Sequence, residues 1–243
     1  MPILSAFGAA RAIGGPVAGS SGIQQGEYSY SFNGTNSSVV YPYSTSFTTG
    51  TQNFTVEFWV YITANPGSGV GNRYAIFSLN DNSLSVSGPW GIGINSTGTL
   101  SWRYVNASGT YSSLTSSISL TLNQWNFCAV SRSGTDTRIF INGTLYGTRT
   151  EAVKTLQATN TPIIGRCGST NYLNGQISNL RYRLGTGITS STVPTSPLQD
   201  ITDTKLLTCR NSTIIDNSTA NSGSAWSITS SNVTVQASSP YYP

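Results

Sequence analysis

Few residues in this chain can do bond-making chemistry, and their spacing does not suit catalysis. No histidine occurs in 243 residues, so a nucleophile-histidine relay has no base. Only eight carboxylates are present, and they are scattered. Glu57 is the best placed of them. It lies in the run FTVEFWVYI, where a two-residue period puts Thr55, Glu57, Trp59 and Tyr61 on one face and Phe54, Val56, Phe58, Val60 and Ile62 on the other. Glycoside cleavage with retention needs a second carboxyl group about 5–5.5 Å away. None is near Glu57 in sequence, so a single Glu held by hydrogen bonds in the sheet is the expected role. The loop acids Asp81 and Asp136 each stand without partners, whereas calcium takes about six to eight oxygens. Ordinary turn chemistry accounts for both, and neither a metal nor a cofactor is expected.

Non-covalent recognition is better served. Tyr74, Trp90, Tyr111 and Tyr172 fall at loops or strand edges, with Arg73 and Asn171 beside two of them. Aromatic faces with nearby amide and guanidinium donors suit a shallow carbohydrate site, and these six residues are the candidates. Their commoner role is as hydrophobic lids on the ends of sheets. Arg103, Arg132, Arg138, Arg181 and Arg183 fall in expected strands and read as a solvated face or as a strip for an acidic neighbour.

The elements that must carry these residues are strands. EYSYSFNG, SSVVYPY, FTVEFWVYI, AIFSL, WGIGIN, LSWRYV, QWNFCAVSR, RIFINGTLYGT, PIIGRC and NGQISNLRYRLG follow one another with turn residues between them. Phe54–Ile62 carries bulk on both faces, which marks a central strand covered on both sides. Ser96-Thr97-Gly98 joins a hairpin. Asn142-Gly143 between alternating apolar residues predicts a type I′ turn, because both central positions need positive φ. The pattern predicts an all-β, two-sheet antiparallel sandwich over 27–185. Residues 1–26 form an arm whose Ile3, Leu4, Phe7 and Ile13 are expected to anchor it to a neighbour. This arm lacks the basic start of a secretory leader. Residues 186–243 are a linker and tail expected to pack on the sandwich or on a neighbour.

Composition narrows the partners. Charged residues are 8% against about 25% in ordinary domains, so the surface is largely Ser, Thr, Asn and Gly. The net charge of +4 comes without a basic run, which argues against nucleic acid. No stretch is long enough to enter a bilayer as a helix. Cys128, Cys167 and Cys209 are odd in number and lack metal spacing. They read as reduced, buried thiols, leaving room for one bridge whose partners the spacing does not place.

The blocks FNGTNSSVVYP, FTVEFWVYI, WGIGINSTGTLSWRY, LTLNQWNFCAVSR, RIFINGTLYGT, IIGRCG and LNGQISNLRYRLG, in this order, resemble the laminin-G-like branch of the concanavalin A-like lectin/glucanase superfamily. The resemblance spans roughly residues 27–185 and implies a jelly-roll sandwich of two curved sheets. Superfamily glucanases place acids at alternate positions on one strand, a pattern missing around Glu57. Many relatives bind calcium at a rim, which Asp81 and Asp136 do not reproduce. The flanks MPILSAFGAARAIGG and KLLTC…IIDNSTANSG…VTVQASSP resemble the ends of tailed-phage virion proteins that carry this domain. Together the resemblances imply a non-enzymatic structural protein on a phage particle, assembled in the host cytoplasm, as capsid decoration or tail accessory. Its expected partners are other virion proteins and further copies of itself. The alternative is a tail-fibre-type adhesin that binds host surface carbohydrate.

Overall fold

The computed structural model describes residues 27–67, 74–79, 90–105, 111–153, 155–156, 161–168, 171–221 and 226–241. The strands, in chain order, are β1 (Ser29–Asn33), β2 (Ser38–Val40), β3 (Phe54–Tyr61), β4 (Tyr74–Ser78), β5 (Trp90–Ile94), β6 (Thr99–Val105), β7 (Tyr111–Ser119), β8 (Trp125–Ser133) and β9 (Asp136–Ile141). They continue as β10 (Thr144–Thr150), β11 (Ile163–Ile164), β12 (Arg166–Cys167), β13 (Asn171–Tyr172), β14 (Asn174–Leu184), β15 (Thr204–Thr208), β16 (Thr229–Ser231) and β17 (Thr234–Gln236). Among the described residues, helical structure is limited to 3₁₀ turns at Thr45–Phe47 and Thr219–Asn221.

Two antiparallel sheets pack face to face in a jelly-roll sandwich. Sheet A runs β10-β9-β8-β3-β14-β1-β17, with β15 also on β14, and sheet B runs β16-β2-β11-β4-β5-β6-β7. The β12-β13 hairpin belongs to neither ladder and packs on β4. β14 is long enough to be shared. On one edge Asn174 to Ile177 pairs with β1 and Leu180 to Arg183 pairs with β15, while β3 takes the other edge.

Alternation along β3 decides what faces inward. Phe54, Val56, Phe58 and Val60 meet Trp90, Ile92, Ile94, Trp102 and Tyr104 from sheet B, all at 2% exposure or less. Burial of each such side chain contributes about 1.5–3 kcal/mol. Trp90 stacks on Phe54 at 4.8 Å and meets Tyr182 edge-on at 5.9 Å, which ties the two sheets together. Asn142 and Gly143 have φ of 49° and 81°, as the type I′ turn between β9 and β10 requires. A bulge at Leu145/Gly147 bends β10 toward β7, and Arg149 donates to the Ser113 carbonyl at 3.0 Å, closing one side.

The tail closes the other side. Trp226 sits edge-on to Phe47 at 5.6 Å, β16 then pairs with β2 of sheet B, and β17 crosses to pair with β1 of sheet A. All three cysteines are free and buried. The anchor residues Ile3, Leu4, Phe7 and Ile13 lie outside the described residues.

Candidate functional site

The structure separates the six residues singled out by sequence. Tyr74 opens β4, and Asn171 and Tyr172 form β13, which packs beside β4. These three are half-buried and share one region of sheet B. Ser78 Oγ donates to the Arg166 carbonyl at 3.2 Å and holds the hairpin there, and Asn171 Oδ1 is buried without a partner. Trp90 corrects the expectation. It is fully buried, its indole Nε1 donates to Thr49 Oγ1 at 3.0 Å, and its ring is stacked in the core, so it offers no face to a ligand. Its position at the start of a strand looks like a rim in sequence, but the inward pleat of β5 turns it into the core. Arg73 and Asp81 lie outside the described residues, as does the side chain of Tyr111.

A second region, which the sequence reading did not single out, lies on the outer face of sheet A. After β14 the chain crosses this face as a strap. Thr55 Oγ1 donates to the Thr186 carbonyl at 2.9 Å, and the Ile188 amide donates to Ser131 Oγ at 2.8 Å. The strap reaches the β9-β10 turn, where Gly143 lies against Ser191 to Val193. It then returns over Trp59 and Phe127, burying Leu198 with them. From the other direction the C-terminal segment brings Tyr241 onto Trp59, edge-on at 5.8 Å, with Trp59 Nε1 donating to its hydroxyl at 2.9 Å. An open depression of about 450 Å³ remains, lined by Trp59, Pro194, Thr195, Ser196, Pro197, Pro240 and Tyr241. Its walls are aromatic and prolyl faces with three hydroxyls, and none of its lining side chains is ordinarily ionised at neutral pH.

Beneath the strap lies the charge of this face. Arg181 Nε and Nη2 donate to Glu57 Oε2 at 2.9 and 2.6 Å, across the β14-β3 register that pairs the two residues. Arg181 Nη1 donates to the Gln199 carbonyl at 2.9 Å, and Arg210 Nη1 donates to the Leu198 carbonyl. Burial pushes the Tyr241 phenol above its ordinary range, against the opposing pull of the Trp59 hydrogen bond and the Arg210 and Arg181 charges. Glu57 is therefore committed to an ion pair under cover and faces no open cleft. Arg132 and Arg181 are likewise internal. Arg132 sits over the Phe54 ring at 5.5 Å and donates to the Gly50 and Gln52 carbonyls, so these two arginines are not part of the solvated strip that their strand positions suggested, while Arg103, Arg138 and Arg183 are half-buried. Asp136 accepts from Thr150 Oγ1 at 2.7 Å and pairs with Arg138, which uses its oxygens in the β9-β10 hairpin.

The signal for this second region was in the sequence. Trp59 and Tyr61 alternate on the outer face of β3, and Trp125 and Phe127 answer them on β8. What linear reading lacked was the long-range closure by TVPTSP and by Tyr241.

Two antiparallel sheets joined in this order, with Trp59 and Phe127 covered on the outer face of sheet A, define a lectin-type sandwich. The model of the laminin G type (Laminin_G_3) of the concanavalin A-like lectin/glucanases superfamily matches residues 33–182, and the chain belongs to this family. No curated protein sequence matches the chain. Among solved structures, a putative carbohydrate binding protein from Bacteroides ovatus ATCC 8483 is similar at 15% identity and TM-score 0.59, covering 88% of this chain and 60% of that one. A heptameric SAP-like pentraxin from Limulus polyphemus is similar at 18% identity and TM-score 0.48, covering 67% and 77%. Domains LG4-5 of the mouse laminin alpha1 chain are similar at 14% identity and TM-score 0.49, covering 67% and 46%. At these identities the likeness is one of fold.

Proposed function

We propose that this chain is a non-enzymatic carbohydrate-binding module that uses the depression on sheet A. The observation that carries the reading is the lining itself. Tyr241 and three prolines offer apolar surface to the C–H side of a sugar ring above the nearly buried Trp59, while Thr195 and Ser196 supply exposed hydroxyls beside it. The pairing of Glu57 with Arg181 supports the non-enzymatic part. The name of the Bacteroides relative points to the same ligand class. A glycan array followed by calorimetry tests the reading. Binding that weakens roughly tenfold or more in Tyr241→Ala, with the melting temperature held, supports it. An array without hits, or a variant that binds as well as the parent, overturns it.

The finer placement is on a tailed-phage particle, with the sandwich outward, the apolar arm against capsid or tail proteins, and assembly in the host cytoplasm. It rests on the resemblance of the flanks to virion proteins, and it is compatible with thiols that stay reduced in the fold. Quantitative mass spectrometry of purified particles should find the chain at a fixed copy number, and its absence from particles removes this placement.

A further inference from the structure

We propose that the depression adjoins a longer track, and that the uncovered row on sheet A's outer face receives a linear, neutral glycan laid across the strands. The proposal rests on the carbohydrate reading of the depression and extends it to ligand length and charge.

Strand register builds the track. Thr234 on β17 is opposite Ser31 on β1, Ser31 is opposite Gln176 on β14, Gln176 is opposite Tyr61 on β3, and Tyr61 is opposite Trp125 on β8. All five belong to the face that carries Trp59, because Phe58, Val60 and Ile177 between them point into the core. Thr234 is exposed and the other four are half-buried. Neighbouring strands lie about 4.8 Å apart, so four steps make a row of roughly 19 Å, which suits an oligosaccharide better than a single ring.

The parallel row two residues along, through Ser29, Ser178 and Trp59, is buried. The contrast divides the face in two. Strap and tail cover the half with Trp59, Arg181 and Leu207, and the half with Tyr61 and Gln176 keeps partial access to solvent.

The chemistry of the row selects the ligand. Tyr61 and Trp125 lie edge-to-face at 5.6 Å and present aromatic surface at one end. Ser29 Oγ donates to Gln176 Oε1 at 2.9 Å, which leaves the two Nε2 hydrogens for a ligand. Ser31 and Thr234 add hydroxyls that donate and accept. The row contains no ionisable group apart from the Tyr61 phenol, so a carboxylated or sulfated glycan would lose water without gaining a counter-charge. A neutral polyol exchanges its water hydrogen bonds for equivalent ones. One pleat period along β3 separates Tyr61 from Trp59, so a chain on the row passes beside the depression.

The test is calorimetry on the full chain with cello-, malto- and α-manno-oligosaccharides of one to six units. Affinity should rise roughly tenfold or more between one unit and about four, then level off, in at least one series. Gln176→Glu and the paired surface variant Ser31→Ala/Thr234→Ala should abolish the length dependence and leave single-unit binding unchanged, with parental melting temperatures. Tyr241→Ala should weaken every length. Binding independent of length, or a length dependence that survives both row variants, overturns the track while sparing the depression. Failure of the parent chain to bind any of the three series overturns the track, and the carbohydrate reading falls with it only when the glycan array is also without hits.

Discussion

The Glu57–Arg181 pair is the most exacting point at which to test the outer face of sheet A. Both side chains are nearly buried, at 12% and 9% side-chain exposure, with two short bonds converging on Glu57 Oε2. An exposed ion pair is worth about 0–1 kcal/mol, whereas removing one partner of a buried pair costs about 3–5 kcal/mol, because the other charge stays buried and uncompensated. Glu57→Ala would leave Arg181 facing the Gln199 carbonyl with Arg210 nearby, so the larger figure applies. For a domain of this size that is a fall of roughly 6–20 °C in melting temperature. Glu57→Leu/Arg181→Leu removes both charges and sacrifices only the Gln199 hydrogen bond, at a cost of about 1 kcal/mol. Urea unfolding followed by tryptophan fluorescence reads all three proteins, and the double variant should regain most of what the single one loses. A loss below about 1 kcal/mol in Glu57→Ala would refute the claim that the strap seals this pair from water. A polysaccharide-cleaving activity that disappears in Glu57→Gln would refute the structural role of the carboxylate altogether.

Alkaline stability and strap seating give two further tests. Burial raises the pKa values of Tyr30, Tyr41, Tyr182, Cys128 and Cys209 above their ordinary 10.0 and 9.0, so their stabilising contribution is complete below about pH 9 and is lost as pH climbs, because the unfolded chain releases those protons first. Each group costs up to about 1.4 kcal/mol per pH unit, and tyrosinate absorbance should appear together with unfolding; reversible titration of all tyrosines near pH 10 in folded protein would contradict this burial. In Gly187→Ala the new Cβ would clash with the Arg132 carbonyl oxygen and meet Ser133 Cα at 2.7 Å, both backbone atoms. It should cost about 1–3 kcal/mol and open the strap to limited proteolysis, and an unchanged cleavage pattern would show that the strap does not depend on this contact.

What could be read from the sequence was whatever is written in local period. β3 announced itself through alternation with bulk on both faces, and the Asn142-Gly143 turn through its demand for positive φ. The arginines show where local reading stops. Arg132 and Arg181 sit at strand positions that look solvated, and only distant carbonyls and one distant carboxylate make their burial tolerable. Trp90 and Trp59 make the same point in opposite directions. Trp90 looked like a rim aromatic and lies in the core, because β5 places it between Phe54 and Tyr182. Trp59 looked like part of a covered strand, and it gained a partner 182 residues away in Tyr241. A face made by closure over such a distance has no local signature. Its components were legible as types, an aromatic pair on β3 answered by one on β8 and a proline-rich stretch after β14. Their meeting depends on β14 offering one edge to both β1 and β15, which sends the strap out over sheet A and brings the tail back across it. The same topology leaves the row from Thr234 to Trp125 clear of strap and tail, so the sheet order that hides the charge of this face also decides which half of it keeps access to solvent.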